Sequence, residues 1–383
     1  MAEPADVFDP RHYEGLGRPP LEAATPPSWY YTGEAFHARE VERIFRRAWN
    51  CVGRLERVPR PGDYSAFDLA GVPLVVVRDR GGRVRAFANS CRHRGTILLE
   101  GAGNCRAIKW PYHGWVYGLD GALTGAPGME DSLDFRREDW GLVPVRLETM
   151  GGFMFVNLDT DTASLEDYLG DFPETFAPWN LEDMVTVRRR EFEVACNWKA
   201  SAEVFMEYYH SESVHPDSLY KTRRIANPPD AVTGEYATMF SDHEGSRALI
   251  EGRGHEAFPP IATLAGRARH GTRFTLVYPS LVFGCTIDAM WFIECYPQGP
   301  GRTRYAHGAC FPKAVVERPD FGELVAGYYE RFDAAVNEDN MALERQHKGL
   351  SSPFAGPGRL SHLEPIVAML GKWVTDRVIG NEA

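Results

Sequence analysis

Two short segments of the chain concentrate side chains that bind transition metals. The first is residues 91–115, CRHRGTILLEGAGNCRAIKWPYHGW, where Cys91 and His93 stand one residue apart and His113 follows. Ligands of this kind must sit on short, stiff loops because their distances to the metal are fixed. Glycines at positions 95, 101, 103 and 114 let the backbone turn closely around such a site. The pattern predicts a metal centre carried by two loops.

The second segment runs from Asn197 to Pro216. Glu203, Glu207 and His210 follow the spacing i, i+4, i+7, which predicts one face of a helix over residues 199–210. His215 directly precedes Pro216, where a helix must be ending. Two histidines and one carboxylate form the facial triad of Fe(II) enzymes that activate O₂. We therefore predict a mononuclear Fe(II) site at His210 and His215, with its carboxylate supplied from elsewhere in the chain.

The remaining pattern indicates an α+β protein that positions these two segments. Strands are expected at 74–77, 84–88, 116–117 and 153–156, joined by glycine turns, and again within 273–296 and 303–311. Helices are expected at 34–49 and 321–347, and a third at the C-terminus, where apolar residues 360–374 form a stripe. The predicted organisation is an N-terminal arm and helix at 1–44, an antiparallel β domain at 45–157, and a second domain at 158–383.

Composition limits the classes of partner. The 383 residues carry a formal net charge of −11, which argues against nucleic acid and anionic membrane. No apolar run is long enough for a transmembrane helix, and the N-terminus lacks the features of a signal peptide. Seven scattered cysteines favour reduced thiols and a cytoplasmic location.

Together the segments resemble the oxygenase α subunit of Rieske non-haem iron oxygenases, in the aromatic-ring-hydroxylating and choline- and carnitine-monooxygenase-like family, from about residue 40 onward. The resemblance implies an N-terminal Rieske-type antiparallel β domain and a C-terminal helix-grip-like antiparallel sheet with helices carrying the iron. It implies a [2Fe–2S] cluster held by two cysteines and two histidines. Here Cys91, His93 and His113 match ligand positions, but the fourth position is Trp110.

The resemblance also assigns roles near the iron. Asp339 matches the third iron ligand, with Glu338 as the alternative. Glu207 matches the carboxylate that bridges an iron-bound histidine to the cluster histidine of a neighbouring subunit, and Glu203 matches a further acid with a structural or proton-related role. The chemistry implied is NAD(P)H-dependent hydroxylation or demethylation of a small organic substrate with O₂. Its electrons come from a ferredoxin or a flavin/iron–sulfur reductase, and the assembly implied is a homotrimer.

Trp110 leaves two explanations open. An indole offers a metal no ligand atom, since its N–H only donates, and rescue by Cys105 would require a register shift of the hairpin. The chain is either a Cys→Trp variant of an active enzyme or a member that has lost its cluster. Because the other ligands are intact, a recent or deliberate single change is favoured. The rival function is a catalytically dead paralogue that binds iron or acts as an assembly partner.

The substrate prediction rests on fewer residues. By resemblance, a Glu at position 207, where many members have Asp, favours small amines or quaternary ammonium compounds. Five aromatic residues could form a cation–π wall or belong to the core: Tyr278, Phe283, Trp291, Phe292 and Tyr296. The other histidines are expected at the surface or in the core: His37, His243, His255, His270, His307, His347 and His362.

Overall fold

The computed structural model describes residues 6–19, 22–219 and 228–380, and these group into two compact units. One unit is Cys51–Thr162. The other joins the described residues up to Asn50 with those from Ala163 onward. This division differs from the predicted boundaries after residues 44 and 157, because the N-terminal residues pack on the later part of the chain. Tyr31 donates a hydrogen bond to Glu203, for example, and Glu40 pairs with Lys199.

The Cys51–Thr162 unit is built from ten short strands. They are β1 (Asn50–Arg54), β2 (Asp63–Leu69), β3 (Val72–Arg78), β4 (Val84–Ala88), β5 (Ala102–Asn104), β6 (Ile108–Lys109), β7 (Val116–Tyr117), β8 (Leu123–Gly125), β9 (Pro144–Met150) and β10 (Phe153–Asn157). Seven form one sheet in the order β1-β10-β9-β4-β3-β2-β5, and β6-β7-β8 form a second. The predicted hairpin of β3 and β4 is confirmed, with Val75 opposite Phe87. A core around Val75, Phe87, Trp115 and Tyr117 supports the loops that carry Cys91 and His113.

Helices and six longer strands form the other unit. The helices are α1 (Trp29–Thr32), α2 (Glu34–Glu40), α3 (Leu165–Leu169), α4 (Phe172–Phe176), α5 (Trp198–Val204), α6 (Ser211–Val214), α7 (Lys313–Val316), α8 (Phe321–Leu350) and α9 (Pro365–Val378). The strands are β11 (Met184–Val194), β12 (Tyr236–Asp242), β13 (Gly271–Val277), β14 (Leu281–Cys285), β15 (Met290–Pro297) and β16 (Thr303–Pro312). They form one antiparallel sheet in the order β11-β16-β15-β14-β13-β12.

The predicted α+β class is confirmed, and the long helix predicted at 321–347 is α8. The helix predicted at 34–49 is shorter, because a π-helical turn at Val41–Phe45 follows α2 and β1 begins at Asn50. The C-terminal helix begins only at Pro365, so Leu360 and Leu363 precede it. In the described parts of the chain, no helix has the length and apolarity required to cross a membrane.

Candidate functional site

His210 and His215 lie close together in the segment that follows α5, and not on the continuous helix that the spacing predicted. α5 ends at Val204, and His210 and His215 flank the four-residue helix α6. Glu207 explains the interruption. Its carboxylate accepts a hydrogen bond from the backbone N–H of His210 at 3.1 Å and another from that of Tyr209. A side chain that bonds to nearby backbone groups offers an alternative to the helical hydrogen bonds. The prediction of one helix face for Glu203, Glu207 and His210 is therefore wrong.

The carboxylate that joins these histidines comes from α8. The Asp339 Oδ1 atom lies 2.9 Å from His215 Nε2 and 3.4 Å from His210 Nε2, and the two Nε2 atoms are 3.2 Å apart. In the described ranges, this is the only group of three or more acid, histidine or cysteine side chains close enough to hold a metal. His215 and Asp339 are 2 % and 3 % exposed. The structure thus brings together the three side chains predicted as iron ligands.

A carboxylate contacts the outer nitrogen of each imidazole. Glu207 contacts His210 Nδ1, and Glu338 Oε2 lies 2.7 Å from His215 Nδ1. With a metal bound, each contact would hold the ring proton on Nδ1 and direct the Nε2 lone pair at the ion. The Ser218 hydroxyl donates to the same Glu338 oxygen. Glu338, the alternative ligand in the sequence, therefore lies outside the three-residue group and orients one of its histidines.

The charges in this pocket favour a cation at its centre. Burial acts to lower the pKa of His210, but contacts with Asp339 and Glu207 outweigh it and raise that pKa to about 10. Burial likewise opposes ionisation of Asp339, while hydrogen bonds from His210 and His215 bring its pKa below the ordinary value. A divalent metal placed between the three ligand atoms would take over the role of the bound proton. The donor set fits a mononuclear Fe(II) ion.

Glu203 lies apart from these ligands. Its carboxylate accepts hydrogen bonds of 3.0 and 3.1 Å from the Tyr31 hydroxyl, and burial raises its pKa to about 7. It does not line the cavity beside the histidines. Its assignment as a catalytic residue stays a prediction.

A cavity of about 930 Å³, including its mouth, opens beside the three-residue group. Aromatic side chains form much of its wall: Phe205, Tyr208, Phe274, Trp291 and Phe332. The first four contact one another in a chain, and Phe332 contacts the His307 ring. Of the five aromatic residues considered from the sequence, Trp291 alone lines this cavity. Tyr278, for example, stacks on Trp373 at 4.8 Å.

Sequence reasoning missed two histidines and two arginines of the cavity wall: His243, His307, Arg247 and Arg331. They come from three separate parts of the chain, namely β16, α8 and the loop after β12, so no local spacing joins the three parts. One signal was available for His307. It alternates with Tyr305 and Phe311 along β16, and both of these contact α8 residues, so His307 shares the strand face that meets the helix.

The Cys51–Thr162 unit brings the other predicted ligands together on two loops. His93 Nδ1 and His113 Nδ1 are 3.0 Å apart, and the Cys91 sulfur lies 3.3 Å from the Tyr117 hydroxyl. Trp110, 38 % exposed, lines a small cavity with Cys91 and His113. This donor set is one thiolate, two imidazoles and an indole that cannot coordinate. It does not fit a [2Fe–2S] cluster, which requires a second thiolate.

Cys105 does not fill the fourth position. It follows β5, its backbone N–H bonds to the Gly62 carbonyl, and its side chain packs against the core beneath the loops. It is not among the residues that line the small cavity with Trp110. Burial also raises the pKa of its thiol, which disfavours the thiolate that a metal requires.

Comparison with known proteins places both units. Residues 48–145 match the Rieske [2Fe-2S] domain, and residues 181–380 match the ring hydroxylating alpha subunit (catalytic domain). The chloroplastic choline monooxygenase of Spinacia oleracea is 29% identical over 351 residues, covering 89% of this chain and 75% of the relative. The carnitine monooxygenase oxygenase subunit of Escherichia coli (strain K12) is 36% identical over 200 residues, covering 51% and 54%.

Solved structures agree in fold. The quaternary ammonium Rieske monooxygenase CntA in complex with L-carnitine superposes with a TM-score of 0.77 at 25% identity, covering 94% of this chain and 97% of that one. Naphthalene 1,2-dioxygenase from Rhodococcus sp. bound to indole gives a TM-score of 0.78 at 19% identity, which bears on the fold alone. The family implies both a [2Fe–2S] cluster and a mononuclear iron, and only the iron fits the side chains of this chain. With its catalytic-domain match covering more than half of the sequence, the chain belongs to the family of ring-hydroxylating α subunits of Rieske non-haem iron oxygenases.

Proposed function

We propose that this chain is an oxygenase component that oxidises a small quaternary ammonium compound at a mononuclear iron held by His210, His215 and Asp339. The observation that carries the proposal is the meeting of these three ligand atoms at the wall of an aromatic cavity. Two histidines and a carboxylate leave open coordination positions on Fe(II), and iron so bound supplies the activation of O₂.

The protein side chains orient the two ligand imidazoles and exclude water from the cavity. Glu207 and Glu338 hold the two imidazole rings with Nε2 directed at the ligand group. The ring centroids of Phe205 and Phe274 lie 6.0 and 6.1 Å from that of Trp291, which forms a continuous aromatic surface. A quaternary ammonium group has no N–H to donate, so attraction to aromatic faces is the means of binding it. The naming of the relatives as choline and carnitine monooxygenases supports this substrate class.

The electron supply belongs to the same proposal. We expect NAD(P)H as the source, a ferredoxin or a flavin/iron–sulfur reductase as the carrier, a homotrimer as the assembly and the cytoplasm as the location. Because the residues around Trp110 do not fit a cluster, we expect this chain to be deficient in the cluster. The bridging role of Glu207 between subunits stays a prediction.

A test of the iron chemistry must therefore not depend on electrons delivered through the cluster. Hydrogen peroxide supplies both the oxygen atom and the oxidising equivalents, so that R–CH₃ and H₂O₂ give R–CH₂OH and H₂O. Iron-loaded protein, peroxide and a trimethylammonium substrate should give formaldehyde and a tertiary amine if an N-methyl group is hydroxylated, or trimethylamine and an aldehyde if the methylene carbon bound to nitrogen is hydroxylated. His210→Ala, loaded in parallel, is the control and should give neither pair of products above the level from free iron.

Trp110 favours a second candidate, a catalytically dead paralogue that binds iron or acts as an assembly partner. The same experiment separates the two. Product formation that requires His210 supports the oxygenase. Stoichiometric iron binding without product from trimethylammonium substrates would refute the oxygenase and support the paralogue.

A further inference from the structure

Two imidazoles of the Cys51–Thr162 unit approach each other through their Nδ1 nitrogens. His93 lies in the loop after β4 and His113 in the loop between β6 and β7, and the two Nδ1 atoms are 3.0 Å apart. Nitrogen ligands lie about 2.0–2.1 Å from an ion such as Zn²⁺, so two of them are about 3.3 Å apart on a tetrahedral ion and about 2.9 Å apart at a right angle. The separation of the two nitrogens falls between these values.

The orientation of the two rings is not that of a simple hydrogen-bonded pair. Each ring centroid lies about 1.1 Å behind its nitrogen, so a straight N–H···N bond of this length would hold the centroids about 5.2 Å apart. The centroids of His93 and His113 are 4.3 Å apart, and the ring planes make an angle of 81°. The nitrogens are thus close although the rings are not aligned in a straight line, and two ligands of one ion likewise meet at an angle.

Neighbouring aromatic rings hold both imidazoles in these positions. The buried indole of Trp115 stacks on His93, with ring centroids 5.2 Å apart and planes 12° from parallel. The Tyr112 ring lies against that of His113, with centroids 3.7 Å apart. Because the two ligand rings are already positioned, little conformational freedom is lost when an ion binds between them.

Of the ligands that a Rieske cluster requires, this chain retains the complete histidine half. Such a cluster binds one iron through two cysteines and the other through two histidines. Trp110 removes one cysteine, and the sulfur of Cys91 contacts the Tyr117 hydroxyl, too far from the two imidazoles to form a three-ligand group with them. The adjoining cavity measures about 240 Å³ including its mouth, and Trp110 and Tyr112, which line it, are 38 % and 59 % exposed. Water can therefore reach the imidazole pair.

We propose that His93 and His113 bind a single divalent transition metal, such as Zn²⁺, through their Nδ1 atoms, with water completing its coordination in place of the cluster. Imidazole is a ligand suited to ions of this class. The ion would join the loop after β4 to the loop between β6 and β7 and so replace the cluster as a cross-link. A Zn²⁺ ion has no redox chemistry, so it would carry no electrons. The inference does not depend on the proposed function, because the two sites use separate residues.

The test is calorimetric titration of the metal-free protein with Zn²⁺ in the presence of a phosphine reductant, which keeps the cysteines as thiols. The unaltered chain should bind two ions, one at this pair and one at the three-residue group of the other unit. His93→Ala and His113→Ala should each bind one. His362→Ala changes an exposed histidine and is the matched control, which should bind two, and Cys91→Ser should also bind two. The ion retained in the other unit and the circular dichroism spectrum show that each variant is folded.

The stoichiometries decide between the alternatives. Two ions in both His93→Ala and His113→Ala would overturn the inference, and loss of an ion in Cys91→Ser would overturn the two-imidazole ligand set. A single ion in the unaltered chain that is lost in His210→Ala would overturn the inference and leave the iron-ligand assignment standing. A single ion that is lost in His113→Ala would do the reverse, and no bound ion would overturn both.

Discussion

Replacing Glu203 by glutamine should stabilise the folded chain above neutral pH and do little near pH 4.5. Burial raises the pKa of this carboxyl group from an ordinary 4.5 to about 7. At about 1.4 kcal/mol per pKa unit, this difference corresponds to about 3 kcal/mol. The folded state holds the proton more tightly than the unfolded state does. Below pH 4.5 this group therefore leaves the free energy of unfolding unchanged. That free energy falls as the pH rises from 4.5 to 7, and above pH 7 it is reduced by the full amount.

Glu203→Gln removes the ionisation and keeps an oxygen that can accept from Tyr31. Urea unfolding followed by circular dichroism measures the free energy of unfolding. For the variant it should exceed that of the unaltered protein by up to about 3 kcal/mol at pH 8 and by far less at pH 5. Because the cost of burying the glutamine amide is the same at both pH values, the difference between them reports only the effect of the charge. Tyr31→Phe is the companion variant. By removing the donor to the carboxylate, it should destabilise more at pH 8 than at pH 5. An effect of Glu203→Gln that is independent of pH would refute the reasoning.

Three further predictions concern the metal sites. His210→Ala should abolish stoichiometric Fe(II) binding measured by metal analysis after gel filtration, and full retention of iron would show that the ligand assignment is wrong. Glu338→Gln should keep the iron but weaken its affinity by about 10–100-fold, because the carboxylate that orients His215 is lost. Glu344→Gln, on the same helix, should not change that affinity. The unaltered chain should contain no acid-labile sulfide, whereas Trp110→Cys, reconstituted with iron and sulfide, should give a Rieske-type visible spectrum. The same spectrum from the unaltered chain would contradict the cluster argument.

Local patterns predicted the elements that depend on local contacts. The β3–β4 hairpin follows from a valine-rich run, a glycine turn and a second apolar run, and α8 follows from a long helical periodicity. Residue type and spacing likewise singled out His210 and His215, because few side chains bind iron, whereas Asp339 was assigned by the family resemblance. The end of α5 was not predictable in this way. The spacing through His210 is helical, and the break arises from hydrogen bonds made by the Glu207 carboxylate.

The cavity wall was the least predictable part. Its arginines and histidines lie on three separate parts of the chain, which meet only when the loop after β12, β16 and α8 come together. In the sequence Arg331 looks like an ordinary charged residue of a surface helix, and only the packing of α8 shows that it lines the cavity. The same non-local packing decides that Trp291 lines the cavity while Tyr278 stacks on Trp373.

The interruption of one unit by the other fixes the order in which the chain can fold during synthesis. Cys51–Thr162 is complete when its last residue leaves the ribosome, and domains generally fold as units as they emerge. The residues up to Asn50 are made earlier but must wait, since Glu40 and Tyr31 find their partners only at Lys199 and Glu203. The two segments of this unit also contact each other at their junctions, since the Trp49 indole donates a hydrogen bond to the Ala163 carbonyl at 3.1 Å. Tyr31 and Glu40 thus precede Cys51–Thr162 in the chain but acquire these contacts only after that unit has been made.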